Sequence, residues 1–342
     1  MSQLFHISDT KAWIRTSGVR KILNAFQLRI SFIIAGLTKK SLHWGMPMSI
    51  SVEPTTSCNL RCPECPSGLR AFTRPTGMLG LEDFKGMMDA FGRSLWSINF
   101  YFQGEPFLNK SLLEMVKWAS SKRIYTATST NAHYFSEEVA KATVESGLHR
   151  LIISLDGTRQ ETYEQYRVGG QLAKVLEGTR RVIAAKRNAK SATPHIIFQF
   201  LVVRHNEHQT EEALQLAKEL GVDEVRFKTA QVYEYENGNP LIPETEKYSR
   251  YRKMPNGKWV LKNKMEDKCW RMWQGCVVTW NGGIVPCCFD KDAQHTLGSL
   301  EKQSLKEIWT GAKYGEFRQA ILTNRSQIEI CRNCSEGTNV WA

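Results

Sequence analysis

The chain of 342 residues contains no run approaching about 18 uncharged apolar residues, so a membrane-spanning helix is not expected. Nor does it open with the short apolar core and small-residue cleavage site of a secretory signal, and the expectation is a cytoplasmic protein. No repeat with a period of about 20 to 50 residues is present, which excludes solenoids and propellers, and there is no low-complexity tract. No nucleic-acid-binding module signature accompanies the net charge of +12, so no nucleic acid partner is expected. Acidic residues are scarce at the start: residues 1–48 hold seven Lys or Arg against one acid. That bias points to an anionic partner, whether substrate or surface. Cysteine is absent from the whole stretch between Cys65 and Cys269.

The nine cysteines therefore form two groups: Cys58, Cys62 and Cys65, then Cys269, Cys276, Cys287, Cys288, Cys331 and Cys334. Clustering of this kind in a cytosolic chain argues for metal binding or catalysis rather than a disulfide framework. With 42% apolar residues, the chain can bury one large core and leave material for a small accessory domain. Near the N-terminus, Ile22, Phe26, Ile30, Ile33 and Leu37 recur at helical spacing with Lys21, Arg29, Lys39 and Lys40 around them, predicting an amphipathic helix. Two readings stay open: a helix docked on its own protein, or peripheral membrane contact through residues 20–40.

From about residue 48, short apolar runs alternate with helical patterns. Strands are predicted at Ser49–Glu53, Ser97–Phe102, Ile124–Ser129, Arg150–Leu155, Ile196–Val203 and Glu224–Lys228. Helices are predicted at Ser111–Ser120 with a Ser111/Glu114 capping box, at Ser136–Ser146 with a Ser cap, at Leu172–Ala189, and at Glu207–Leu220 stopped by Gly221. Six such units imply an α/β fold with a parallel sheet, doubly wound or barrel-like, with its chemistry at the strand C-terminal ends. After Lys228 the pattern breaks into segments rich in Pro, Gly, Asn and charge. Three domains are expected: an N-terminal helical extension over 1–47, a core over 48–250 and a cysteine-bearing domain over 251–342.

Cys58-Asn-Leu-Arg-Cys62-Pro-Glu-Cys65 follows the first predicted strand and presents three thiols from one loop. A structural zinc site wants four ligands, whereas a cubane cluster held by three thiolates keeps one iron open to another molecule. This C-x3-C-x2-C run resembles the cluster loop of the radical S-adenosylmethionine (SAM) superfamily. Gln103-Gly104-Glu105-Pro106 resembles that family's Gly-Gly-Glu-Pro segment, with Gln in the first place. Ser129 and Asn131 after the third strand, and Ser154 and Asp156 at the end of the fourth, resemble its ribose- and carboxylate-side segments. The resemblance spans about residues 48–230 and implies a partial (β/α)6 TIM-like barrel. It also implies a SAM-binding 4Fe–4S cluster on Cys58, Cys62 and Cys65, and reductive cleavage of SAM to a 5'-deoxyadenosyl radical that abstracts hydrogen from substrate. Arg61 and Glu64, inside the loop, are expected to shape it rather than to react.

Cys269, Gly282, Val285-Pro286-Cys287, Leu297-Gly298, Leu305-Lys306-Glu307-Ile308-Trp309 and Cys331-Arg-Asn-Cys334 resemble the short SPASM or twitch extension of many radical SAM enzymes. This implies an auxiliary 4Fe–4S cluster on Cys269, Cys287, Cys331 and Cys334; a zinc ribbon on the same thiols is the alternative, since both use tetrahedral thiolate ligation. Cys276 and Cys288 are left over, as hydrogen donors to a substrate radical or as small buried side chains. Trp270, Trp273, Trp280 and Trp309 are expected to form a compact core around the auxiliary site. The leading functional expectation is an oxidoreductase or epimerase acting on a polyol, amino sugar or similar metabolite, served by a reductase or a flavodoxin- or ferredoxin-type electron donor. A peptide-modifying enzyme is the first alternative, though residues 1–47 look short and helical for a peptide-recognition domain. A non-catalytic cluster or zinc protein on an anionic surface is the second.

Overall fold

The computed structural model describes residues 7–262 and 264–334. Eleven strands are present among them: β1 (Ser49–Val52), β2 (Ser97–Asn99), β3 (Tyr125–Thr130), β4 (Arg150–Ser154), β5 (His195–Val202), β6 (Glu224–Thr229), β7 (Tyr251–Lys253), β8 (Trp259–Leu261), β9 (Gly275–Val278), β10 (Gly283–Val285) and β11 (Gly298–Ser299). The chain divides into two compact units. Among the described residues, one holds 7–57, 72–127 and 265–334; the other holds 58–71, 128–262 and 264.

In the first unit the strands run β11-β10-β9-β1-β2 and end on β3. β1 lies parallel to β2 and also to β9, with Ile50 opposite Cys276, while β10 and β11 close the edge antiparallel. Helix Leu81–Asp89 buries Phe84 and Met88, and helix Leu112–Ser121 buries Leu112, Met115, Val116 and Ala119. These residues recur three and four apart because one face of a helix repeats every 3.6 residues. Each large apolar side chain so buried contributes roughly 1.5–3 kcal/mol. The predicted Ser111/Glu114 box does not form. Ser111 has helical backbone angles, its side chain makes no cap, and its N–H is taken by the Asn109 carboxamide oxygen at 2.9 Å.

The second unit carries β4, β5 and β6 in parallel order beside the C-terminal half of β3. Leu151, Ile152 and Ile153 on β4 and Ile196, Ile197 and Phe198 on β5 are all buried, the unbroken apolar run of a strand covered on both faces. Helix Leu172–Asn188 buries Val175, Val182 and Ile183. Helix Ser136 capping occurs as predicted, its Oγ accepting the Val139 N–H. Gly221 ends helix Thr210–Leu220 in the left-handed region, φ +82. β7 and β8 form an antiparallel pair.

Candidate cluster and cofactor sites

In the second unit, the loop from Cys58 to Cys65 lies over an apolar floor of Leu60, Tyr166, Val203, Ala230, Val232, Ile242 and Tyr251, with Cys62 buried in it and Cys58 and Cys65 packed against it. The loop is pinned at several points. Arg61 N–H donates to the Val168 carbonyl at 2.9 Å, and the Glu64 carboxylate accepts the Tyr233 N–H at 2.9 Å, so both residues shape the loop. The short helix Pro66–Leu69 starts on Cys65, and Gly68 passes so close that a Cβ there would stand 2.6 Å from the Cys62 nitrogen. Only glycine tolerates that approach.

The neighbouring cation was not legible in the sequence. Arg167 follows helix Gln160–Tyr166, hydrogen-bonds the Asp156 carboxylate through Nε and reaches Cys62 Sγ at 3.8 Å through Nη1. Burial pushes the Cys62 thiol up, while the Arg167 guanidinium pulls it down toward thiolate. Asp156, fully buried, also accepts the Leu201 N–H at 2.8 Å, so both its carboxylate oxygens are engaged by the protein. Asn131 donates to Asn59 Oδ1 at 2.8 Å within the cluster loop. Gln171 N–H donates to His133 Nε2, which puts the imidazole proton on Nδ1, facing Asn131. Burial lowers the His133 pKa. Ser129 lies half-buried on β3, and Ser154 is buried at the end of β4.

In the first unit, Gln103-Gly104-Glu105-Pro106 is fastened to the stretch that leads into Cys58. Gly104 has φ +75, and a Cβ on it would meet the Thr55 carbonyl oxygen at 2.3 Å and that of Ser57 at 2.7 Å. Glu105 N–H donates to Ser57 O at 2.8 Å, and its carboxylate accepts the Phe107 N–H at 3.2 Å, opening the turn Pro106–Leu108. Glu53, just after β1, is buried and clamped by Arg74 at 2.6 and 2.9 Å, with Trp280 N–H at 3.3 Å on the same carboxylate. Burial raises the Glu53 pKa and Arg74 opposes it. Sequence reasoning passed over both.

The first unit also carries Cys269, Cys287, Cys331 and Cys334. Arg325, buried, donates from Nη2 to Cys334 Sγ at 3.1 Å and from Nη1 to the Lys268 carbonyl at 3.0 Å. Burial disfavours its charge, but Cys269, Cys334 and Cys331 together raise its pKa. Burial lifts the Cys287 thiol, and Cys288, Cys269 and Cys334 lift it further. Trp273 and Trp309 are fully buried, and the Arg318 guanidinium is caged over Trp309 at 4.5 Å and Tyr314 at 4.2 Å. Trp270 and Trp280 sit nearer the surface, with Trp280 against Gly77. Cys276 is shut into β9, and burial pushes its thiol up to about 12, a placement that suits the small buried side chain better than an accessible donor. Cys288 is half-buried against Phe102, Val277 and Val285.

All nine cysteines are free thiols. Among the described residues no three Cys, His, Asp or Glu side chains already stand close enough to hold one ion, so fit is judged on donor chemistry. Both groups pass. Leu60 N–H reaches Cys58 Sγ at 3.4 Å, and guanidinium groups reach Cys62 and Cys334, the donors that stabilise thiolate ligands.

The sequence model of the radical SAM superfamily matches residues 52–233, and that of the SPASM iron-sulfur cluster-binding domain matches residues 269–335. A PqqA peptide cyclase from Granulibacter bethesdensis is 25% identical over 320 residues, 86% of this chain and 81% of the relative. A tungsten-containing aldehyde ferredoxin oxidoreductase cofactor-modifying protein from Pyrococcus furiosus is 24% identical, over 83% of this chain and 86% of the relative. Among solved structures, Streptococcus suis SuiB bound to S-adenosylmethionine aligns with a TM-score of 0.63 at 15% identity, covering 89% of this chain and 75% of that one. BtrN in complex with AdoMet and 2-DOIA aligns at 0.52 and 18% identity, covering 85% and 94%. At these identities the structural matches speak for the fold.

Proposed function

The chain belongs to the radical SAM superfamily, and from that membership we propose that it is a peptide-modifying enzyme carrying a SAM-binding 4Fe–4S cluster and an auxiliary cluster. The observation that carries the peptide reading is the similarity to PqqA peptide cyclases from three organisms, over 86%, 79% and 84% of this chain. SuiB bound to precursor peptide SuiA shares the fold, with a TM-score of 0.60. This reverses the order of preference expected from the sequence, in which a small metabolite led.

When bound, a SAM-binding cluster would supply radical chemistry able to take hydrogen from an unactivated carbon. The protein's own residues hold and shield that chemistry. Cys58, Cys62 and Cys65 are the cluster ligands, and the apolar floor beneath them excludes water. As the family resemblance implies, Gln103, Gly104, Glu105 and Pro106 would meet the SAM amino group, and Ser129, Asn131 and Ser154 would serve its ribose and carboxylate side. Asp156 acts through Arg167, fixing a cation beside Cys62. Cys269, Cys287, Cys331 and Cys334 would hold the auxiliary cluster, with Arg325 donating to Cys334 Sγ.

A second reading, dehydrogenation or epimerisation of a polyol or amino sugar, is favoured by one observation: between residues 7 and 48 the described chain forms two helices and no strand on which a bound peptide could add. Deuterium transfer separates the two. Extract from cells grown on deuterated nutrients is incubated anaerobically with the reconstituted enzyme, SAM and dithionite, and label is sought in 5'-deoxyadenosine. Label that disappears when the extract is first treated with protease supports the peptide; label that survives protease and passes an ultrafilter rejects it in favour of a small metabolite.

A further inference from the structure

Helix Val19–Thr38 is turned against its own amphipathicity. The residues it buries are Asn24, Leu28, Ser31 and Ala35, two of them polar and one alanine. Asn24 exchanges hydrogen bonds with the Met46 backbone at 2.8 Å in both directions, and Ser31 bonds back to the Leu28 carbonyl, so this polar face is satisfied where it lies. On the other side Val19, Ile22, Leu23, Phe26, Ile33 and Leu37 face solvent, with Val19 74%, Phe26 62% and Leu37 79% exposed. Spaced three, four or seven residues apart, with half-buried Ile30 between Phe26 and Ile33, they lie along one face of the helix. Ile14 before it, and Leu42 and Trp44 after it, are exposed as well. Contiguous apolar exposure on this scale marks an interaction surface.

The charges around the stripe select its partner. Lys11, Arg15, Arg20, Arg29, Lys39 and Lys40 are all exposed, and the one acid in this region, Asp9, is buried in a hydrogen bond with the Tyr125 hydroxyl. A second copy of the chain would set six exposed cations against six, a repulsive pairing. An apolar stripe flanked by cations, with tryptophan at its end, instead matches a helix lying in the plane of an anionic bilayer. Among the described residues no helix is long and apolar enough to cross one.

We propose that residues 14–44 are a membrane-contacting face, with Ile22, Phe26, Ile33 and Leu37 sunk below the phosphates and Arg20, Lys39 and Lys40 among the headgroups of anionic lipid. This goes beyond the catalytic reading and does not depend on it. The test is sedimentation of the reconstituted full chain with vesicles of phosphatidylcholine mixed with phosphatidylglycerol, beside pure phosphatidylcholine. The chain is expected to follow the anionic vesicles and to come off in high salt, where the Debye length falls to about 3 Å. Phe26→Glu combined with Leu37→Glu should weaken binding about a hundredfold, since each apolar anchor lost is worth about a decade. Both side chains point into solvent, so SAM cleavage without lipid should stay at the wild-type rate and report an intact fold. Equal sedimentation of variant and wild type, or none with anionic vesicles, overturns the proposal. A concentration-dependent dimer seen by light scattering, and dissolved by the double substitution, overturns it too and gives the face to a second copy.

Discussion

Arg167 shows how much of a site can rest on one side chain that no motif announces. It sits eleven residues beyond Asp156, joins that buried carboxylate to Cys62 and leaves no local periodicity or spacing to betray it. Removing one member of a buried ion pair costs about 3–5 kcal/mol, because the other charge is left uncompensated. Arg167→Gln should therefore lower the melting temperature and cut 5'-deoxyadenosine formation at least about tenfold, while the auxiliary iron survives; unchanged cleavage would remove Arg167 from the site. Cys62→Ala should abolish SAM cleavage, and wild-type cleavage would refute the ligand assignment. Cys276→Ser and Cys288→Ser should leave iron content intact, whereas loss of a cluster from either would redraw the ligand set. The three cysteines of the first loop were legible because ligand spacing is local. Arg325 beside Cys334 was not, because its contact depends on how the turn Arg325–Gln327 folds back on Cys331–Cys334.

Elements were legible in proportion to how local their causes are. All six predicted core strands occur, five of them with each end shifted by a residue or less and β2 shortened to three residues, since alternation and flanking turns mark them. β9 was missed because its partner β1 lies far away in sequence, and pairing across such a gap leaves no trace in either segment. Helix Val19–Thr38 was found by its period, yet periodicity states only that an apolar stripe exists, not that it faces the core. Gly104 ties one element to another. With φ +75 and no room for a Cβ, Gly104→Ala should weaken SAM binding by roughly tenfold or more while iron stays bound, as isothermal titration would show. At the β5–β6 pair, burial works against Glu224, but His195 and Arg226 hold its pKa at about 2 rather than 4.5. That depression stabilises the fold fully above pH 4.5 and is lost as pH falls through about 2. Glu224→Gln should cost on the order of 2 kcal/mol in urea denaturation at neutral pH. The gap to wild type should narrow over that acidic window.

At the scale of the whole molecule, two cysteine groups predict about eight irons per reconstituted chain, about four to each cubane. Cys334→Ala should lose about half of them and keep some SAM cleavage; an unchanged iron count would take the auxiliary cluster out of the account, and zinc in its place would make that region structural. The first unit is assembled from both ends of the chain, with β9 lying along β1 and the Trp273 indole donating to the Leu42 carbonyl at 3.0 Å. A ribosome adding about 5–20 residues per second needs roughly ten seconds or more to travel from Val52 to Gly275. Throughout that interval β1 has one edge without its partner and the thiols of Cys58, Cys62 and Cys65 are already in the cell. Nascent chains of this protein thus have a window in which premature metal capture or strand-edge aggregation competes with folding, and it closes only once β9 has been made.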